Sequence, residues 1–301
     1  MRIVAALGGN ALLERGEKPD SDIQESHIQS AVTALAPLAR AHDLVITHGN
    51  GPQVGMLALE SARDPALSHP YPFDVLGAQT QGMIGYWLAR ALHGVLPGRA
   101  TGCLICQTRV DPDDPAFGHP TKFVGPVYDE DKARDLAARR GWAVRRDGAA
   151  WRRVVPSPEP VQILELPLIR ALLDTGAVVV CAGGGGIPVT ADTSGTLRGV
   201  EAVVDKDLTA ALLAQAVAAD ALLLLTEVDA VIDGFGTPGA RPIHHATPSE
   251  LRARSFPAGS MGPKVEACCR FVEATGQMAA IGSLYEPGAL LRGEAGTIVS
   301  R

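Results

Sequence analysis

The sequence predicts an α/β fold: a mostly parallel sheet with helices on both faces. Short β-branched or aliphatic runs end in glycine or polar turns, and longer segments with helical spacing follow them. With 46% hydrophobic against 20% charged residues, the chain also has enough apolar surface to bury around such a sheet. At roughly 150 residues per domain, its 301 residues suit two domains.

Each element follows from its local pattern. Arg2–Leu7 runs as a strand into Gly8-Gly9-Asn10, and 23–41 repeats apolar residues at helical spacing. The strand 43–47 runs into His48-Gly49-Asn50-Gly51-Pro52, where Pro52 suits the first position of a helix over 53–62. A further helix is predicted over 79–92. From about 112 to 160 the chain is dense in Pro, Gly and charge, and 142–155 reads as a hairpin around Asp147-Gly148. That stretch predicts a small protruding subdomain inserted into the first domain. Its arginines, Arg139, Arg140, Arg145, Arg146, Arg152 and Arg153, suit either a basic lid over an anionic ligand or a solvated hairpin face, the latter favoured for most of them. The alternation then resumes with a helix over 163–174 and a strand over 177–182 that ends in Gly183, Gly184, Gly185 and Gly186. A helix over 208–218 and a strand over 222–225, ending at Thr226-Glu227-Val228-Asp229, complete the pattern. The domain boundary is expected near Ala182, dividing the chain into 1–182 and 183–301.

Composition excludes several classes of function. A net charge of −6 gives no electrostatic reason to expect nucleic acid or an anionic membrane as partner. The apolar runs 177–182 and 221–225 fall far short of the roughly 20 residues of a bilayer-spanning helix. The segment after Arg2 is too short for a secretory signal, so the expected location is cytoplasmic. Five cysteines, including Cys103-x-x-Cys106, lack a second pair at zinc spacing and read as buried thiols.

In open α/β sheets ligands bind beyond the carboxyl ends of the strands, where the three glycine-rich loops should lie. Such loops let phosphate approach backbone N–H groups closely, which a side chain would block. The spacing Gly49, Gly51, Gly55 misses the dinucleotide pattern, and neither a G-x-x-x-x-G-K-[ST] loop nor an H-R-D and D-F-G pair occurs. No G-x-S-x-G elbow or H-E-x-x-H motif is present either.

The basic residues divide into 22 arginines and only five lysines. Lys122, Lys206 and Lys264 lie in short segments rich in Gly, Pro or Asp. Phosphoryl transfer asks for charge stabilisation more than covalent chemistry, and compact ammonium groups at the transferring group provide it. Asp205 and Asp207 flank Lys206 and can hold its ammonium, a helix N-cap with a surface lysine being the structural alternative. Asn10 and Asn50 offer amide donors to phosphate or carboxylate oxygens.

These segments together resemble the amino acid kinase superfamily, and within it the carbamate kinase family most closely. The resemblance is carried by Leu7-Gly8-Gly9-Asn10-Ala11, His48 to Gly55, Thr80 to Trp87, Trp151 to Pro158, Gly183 to Pro188, Gly199 to Asp207 and Gly259 to Lys264. It implies a three-layer αβα sandwich with an open central sheet, an N-terminal half for carbamate or carbamoyl phosphate and a C-terminal half for ATP or ADP. It implies that Lys206 and Lys264 stabilise the transferring phosphoryl group, that Asp207 orients them, and that Lys122 reaches in from the protruding subdomain. By the same resemblance Gly8, Gly9, Asn10, Gly49, Asn50 and Gly51 line the acceptor site. Gly183, Gly184, Gly185, Gly186, Thr226, Val228, Asp229, Met261 and Pro263 serve the nucleotide. Mg²⁺ bridging the nucleotide phosphates and a homodimer are implied as well. Two other readings keep the fold: a kinase for another small carboxylate or phosphate acceptor, and a non-catalytic nucleotide or metabolite sensor.

Overall fold

The computed structural model describes residues 1–301 except Arg15, Ala258 and the side chain of Asn10. In chain order the first half contains β1 (Arg2–Leu7), α1 (Ser21–Ala41), β2 (Asp43–His48), α2 (Gly51–Ser61), α3 (Phe73–Val95), β3 (Thr101–Cys103) and β4 (Gln107–Arg109). Next come β5 (Lys122–Tyr128), α4 (Glu130–Arg140), β6 (Ala143–Asp147), β7 (Ala150–Val155), β8 (Gln162–Ile163), α5 (Leu166–Asp174) and β9 (Val178–Val180). The remainder holds β10 (Ile187–Ala191), β11 (Leu197–Gly199), α6 (Lys206–Ala216), β12 (Ala221–Thr226), β13 (Val231–Asp233), β14 (Arg241–Ile243) and β15 (His245–Ala246). It closes with α7 (Pro248–Arg252), α8 (Met261–Thr275), β16 (Met278–Ser283), α9 (Pro287–Leu291) and β17 (Thr297–Val299).

The predicted sheet is present. Eight strands pair in the order β15-β17-β16-β12-β1-β2-β9-β3, and every neighbouring pair is parallel except β16 with β17. β1, β2, β9 and β12 are buried almost throughout, as strands covered on both faces must be. Alternate residues divide between two cores. Val4, Val45, Leu222 and Leu224 pack with Ile169, Leu213 and Phe271 from α5, α6 and α8. Ile3, Leu44, Ile46 and Leu223 pack with Ile28 and Leu35 of α1 and Ile84 and Leu88 of α3. The result is an αβα sandwich whose sheet runs unbroken across the position of Ala182.

Several boundaries differ from the sequence reading. α3 begins at Phe73, six residues before the predicted start, because Phe73 and Leu76 are buried and Phe73 N–H is capped by the distant Glu201 carboxylate at 2.8 Å. Ile163 lies in β8, paired with Thr108, so α5 starts only at Leu166. The predicted hairpin is present as β6 and β7, with Gly148 at φ 65° following Asp147. β5 joins it in a three-stranded sheet, order β5-β7-β6. The polar helix α4 packs on that sheet through Ala133 and Leu136. Its signals are caps rather than apolar periodicity: the Asp129 side chain accepts from Lys132 N, and Gly141 ends the helix at φ 66°.

No helix among the described residues is long and apolar enough to cross a membrane. The five cysteines are free thiols, four of them buried. Burial raises the Cys103 and Cys269 thiols to about 11, which leaves them protonated and inert at neutral pH.

Candidate functional site

The turns after β1, β2, β9 and β12 emerge at one edge of the sheet because those strands run parallel. Two of them meet backbone to backbone. A Cβ on Gly49 would lie 3.0 Å from Gly9 Cα and N and 3.4 Å from the Lys206 side chain. One on Gly8 would lie 3.2 Å from Leu225 O and 3.8 Å from Thr226 Cα. Glycine therefore lets the β1 turn pack tightly against the β2 and β12 turns, with Gly49 also close to Lys206. The side chain of Asn10 lies outside the described residues.

The loop of Gly183 to Gly186 is glycine for a different reason. Cβ atoms at these four positions would fall 2.2 Å from His48 Nε2, 2.3 Å from Asn50 Nδ2, 2.5 Å from Val204 O and 2.0 Å from Thr108 Oγ1. Gly184, Gly185 and Gly186 also have φ between 66° and 90°. Gly185 N and Gly186 N donate to Ala182 O and Gly183 O, and Thr108 and Thr209 hydroxyls both donate to Gly185 O. Close protein packing is by itself enough to require these glycines, and two of the four amides are already committed.

Buried polar side chains fix the turns after β2 and β9. Asn50 Nδ2 donates to Thr80 Oγ1 at 2.8 Å, while Thr80 Oγ1 donates to Gly77 O at 2.8 Å. Because the hydroxyl hydrogen is used on Gly77, Thr80 can only accept from Asn50, which sets the orientation of that amide. Gln81 bonds Cys106 N and O and Gly183 O from α3. His48 is buried beside Gly183, its Nδ1 2.9 Å from Gly49 O. Burial lowers its pKa to about 4, so the ring is neutral at pH 7.

The lysines are brought together. Lys206 opens α6 and Lys264 sits in the first turn of α8. Their ammonium groups donate to the two oxygens of Asp207, Lys206 to Oδ1 at 2.6 Å and Lys264 to Oδ2 at 3.0 Å. Burial pushes the Asp207 carboxyl up, yet the two ammonium groups outweigh it and hold the group well below the usual carboxylate range. Burial lowers the pKa of Lys206; Asp207 opposes that shift and Lys264 reinforces it. Two cations sharing one anion leave a net positive charge at two helix N-termini, where the macrodipole adds to it. That is an arrangement for binding an anion.

Asp205 does not hold Lys206, contrary to the sequence expectation that both flanking aspartates do so. Its Oδ1 caps α6 by accepting from Asp207 N and Leu208 N at 2.9 and 3.2 Å. Its Oδ2 accepts from Lys122 Nζ of β5 at 2.6 Å. Lys122 thus reaches the cluster from the protruding subdomain. The arginines of that subdomain mostly do not. Arg139 pairs with Asp135, Arg152 with Asp147 and Arg153 with Glu201, while Arg145 and Arg146 are exposed. The solvated-face reading holds for most of them.

Among the remaining predicted positions, Thr226 ends β12 beside Gly8, Val228 and Asp229 are exposed just beyond it, and Met261 and Pro263 open α8 ahead of Lys264. Met261 packs partly against the core. Among the described residues no group of three or more His, Cys, Asp or Glu could hold a metal ion. Sequence reasoning assigned nothing to Thr80, Gln81, Thr108, Thr209 or Glu201. The signal available for the first two was a polar run, Gln79-Thr80-Gln81, inside a glycine-spaced and mostly apolar helix.

The amino acid kinase family model matches residues 1–283. Carbamate kinase of Rhizobium meliloti is 54% identical, the alignment covering 100% of this chain and 93% of that protein. Carbamate kinase of Escherichia coli K12 is 50% identical, with 99% of both chains covered. Among solved structures, carbamate kinase from Giardia lamblia bound to AMP-PNP superposes with a TM-score of 0.91 at 39% identity, covering 99% of this chain and 98% of that one. Lys122, Lys206 and Lys264 thus lie in a chain similar over its whole length to carbamate kinases, and the chain belongs to the amino acid kinase family.

Proposed function

We propose that the protein is a phosphotransferase catalysing ATP + carbamate = ADP + carbamoyl phosphate in either direction. The observation that carries this reading is the pair Lys206 and Lys264 held on the single buried carboxylate of Asp207, beside converging glycine turns. Likeness over the whole chain to carbamate kinases supports the choice of acceptor.

Charge moves between the attacking and leaving oxygens during the transfer, and fixed cations stabilise it without reorganisation at the moment of reaction. Lys206 and Lys264 do this, and each ammonium keeps donors beyond the one given to Asp207. Asp207 holds both in position. Lys122 adds a third cation on trading Asp205 for the substrate. Gly8, Gly9, Asn10, Gly49, Asn50 and Gly51 line the acceptor side within 1–182. The half 183–301, through Thr226, Val228, Asp229, Met261 and Pro263 together with Gly183 to Gly186, takes the nucleotide. Neutral His48 contributes packing rather than charge.

Among the described residues no group of three or more His, Cys, Asp or Glu could hold a metal ion, so a Mg²⁺ would be held by the nucleotide rather than by the chain, and would supply neutralisation of phosphate charge. A cytoplasmic homodimer completes the proposal.

The test is ATP formation by the purified protein from ADP, Mg²⁺ and carbamoyl phosphate, with acetyl phosphate as control donor. ATP from carbamoyl phosphate alone is expected. ATP from neither donor, in folded protein that binds ADP, would overturn the assignment.

A further inference from the structure

The segment just before α6, which turns at Glu201, is the seat of the protruding subdomain. Alternate residues of that segment meet it. Glu201 Oε1 accepts from Arg153 Nη2 at 3.2 Å, Val203 N donates to Pro156 O at 3.0 Å, and Asp205 Oδ2 accepts from Lys122 Nζ at 2.6 Å. On the subdomain side Lys122 pairs with Val155 across the β5–β7 ladder, two residues from Arg153, so both contacts move with one small sheet. Beyond the seat, a Cβ on Gly55 of α2 would lie 2.3 Å from Gly125 Cα of β5. That backbone approach pins the base of the same strand.

The contacts are not equivalent. Lys122, whose side chain is 34% exposed against 13% for Lys206 and Lys264, is the lysine free to leave Asp205 for the substrate. The Val203–Pro156 bond is a single neutral hydrogen bond. Val124 and Val155 of the subdomain also bury against Val54, Phe73 and Leu76, and the Arg153–Glu201 pair is the remaining charged contact. Arg153 lies between two aromatic rings, 4.7 Å from the centroid of Phe73 and 4.5 Å from that of Trp142. Glu201 is anchored independently, since its Oε2 accepts from Phe73 N at the start of α3. One carboxylate therefore joins the subdomain, the segment leading to Lys206, and the helix that carries Thr80 and Gln81.

We propose that Glu201 is a positioning residue: by tying Arg153 to the start of α3, it keeps the protruding subdomain seated while Lys122 exchanges Asp205 for the phosphoryl group. Glu201 touches no reacting atom and acts only through Lys122. The inference rests on the role proposed above for Lys122.

The test is a double-mutant cycle of Glu201→Ala and Lys122→Ala, read in the direction of ATP synthesis from ADP and carbamoyl phosphate. Glu201→Ala alone is expected to lower kcat/KM for carbamoyl phosphate about tenfold, to leave the KM for ADP unchanged and to alter Trp142 fluorescence. In the Lys122→Ala background the same substitution is expected to change activity less than about twofold. Glu201→Gln, which keeps one acceptor oxygen but sets an NH₂ donor against the other N–H, is expected to recover only part of the loss. An equal loss in both backgrounds would make Glu201 merely structural, and no loss in either would remove it from the mechanism; both overturn the inference while leaving Lys122 intact. If Lys122→Ala were itself silent, the role of Lys122 would fall and the inference with it.

Discussion

Lys206 and Lys264 rise from the first turns of α6 and α8, which pack on each other and on the central sheet, and both ammonium groups end on a carboxylate only 3% exposed. Lys122 comes from a three-stranded appendage, and its side chain is 34% exposed where it meets Asp205. The buried pair has its geometry set before any ligand arrives. The third lysine has a part-buried ion pair whose lysine side is open to solvent and can be traded. Fixed charges suit the stabilisation of a transition state and an exchangeable one suits capture of an anion. The two regions should therefore answer differently to substitution.

The largest expected effect is on the fixed pair. Lys206→Ala or Lys264→Ala should lower kcat by about 10²–10³, as loss of one preorganised charge-stabilising group does, with the thermal melt still cooperative. Full turnover in either variant would break the comparison at its stronger end. Asp207→Asn should strike stability as well as rate. It leaves two buried ammonium groups without their counterion, a loss of about 3 kcal/mol that urea denaturation would register. An unchanged midpoint would mean that the lysines relax into solvent.

On pH the body has a signature that the subdomain lacks. His48 has a folded pKa of about 4 against an unfolded 6.5, so the unfolded chain binds more protons between these values. Stability conferred by the neutral ring is complete above pH 6.5 and is lost as pH falls towards 4, by about 3 kcal/mol. His48→Gln should flatten that part of the stability profile measured in urea. The smallest effect is reserved for the appendage. Lys122→Ala should leave the melt unchanged and raise KM for carbamoyl phosphate about tenfold, equivalent to roughly 1.4 kcal/mol. Unchanged KM and kcat would take the subdomain out of the chemistry.

The two regions were also unequally legible. The central sheet announces itself in Arg2–Leu7 and the other aliphatic runs, because strands buried on both faces must be apolar throughout. Lys206 and Asp207 are neighbours in sequence, and their association could be read directly. Asp205 with Lys122 could not, since the partners stand 83 residues apart and the adjacent Lys206 offered Asp205 a nearer partner. The start of α3 was hidden for a similar reason: the group that satisfies Phe73 N–H is 128 residues away. In the Gly183 to Gly186 loop the residue type was plain but its cause was not. Glycine answers to a ligand or to a packed neighbour alike, and only the positions of His48, Asn50, Val204 and Thr108 separate the two. The helix α4 shows the converse, an element with little apolar periodicity whose caps alone betray it.

The measurement that tests the account most directly is kcat and KM for carbamoyl phosphate, side by side, in the unaltered protein and in Lys206→Ala and Lys122→Ala. The account predicts that Lys206→Ala loses kcat by about two orders of magnitude or more, and that Lys122→Ala loses mainly affinity, by about one. The reverse order, or equal losses in kcat, would contradict the division between a fixed catalytic pair and an exchangeable third lysine.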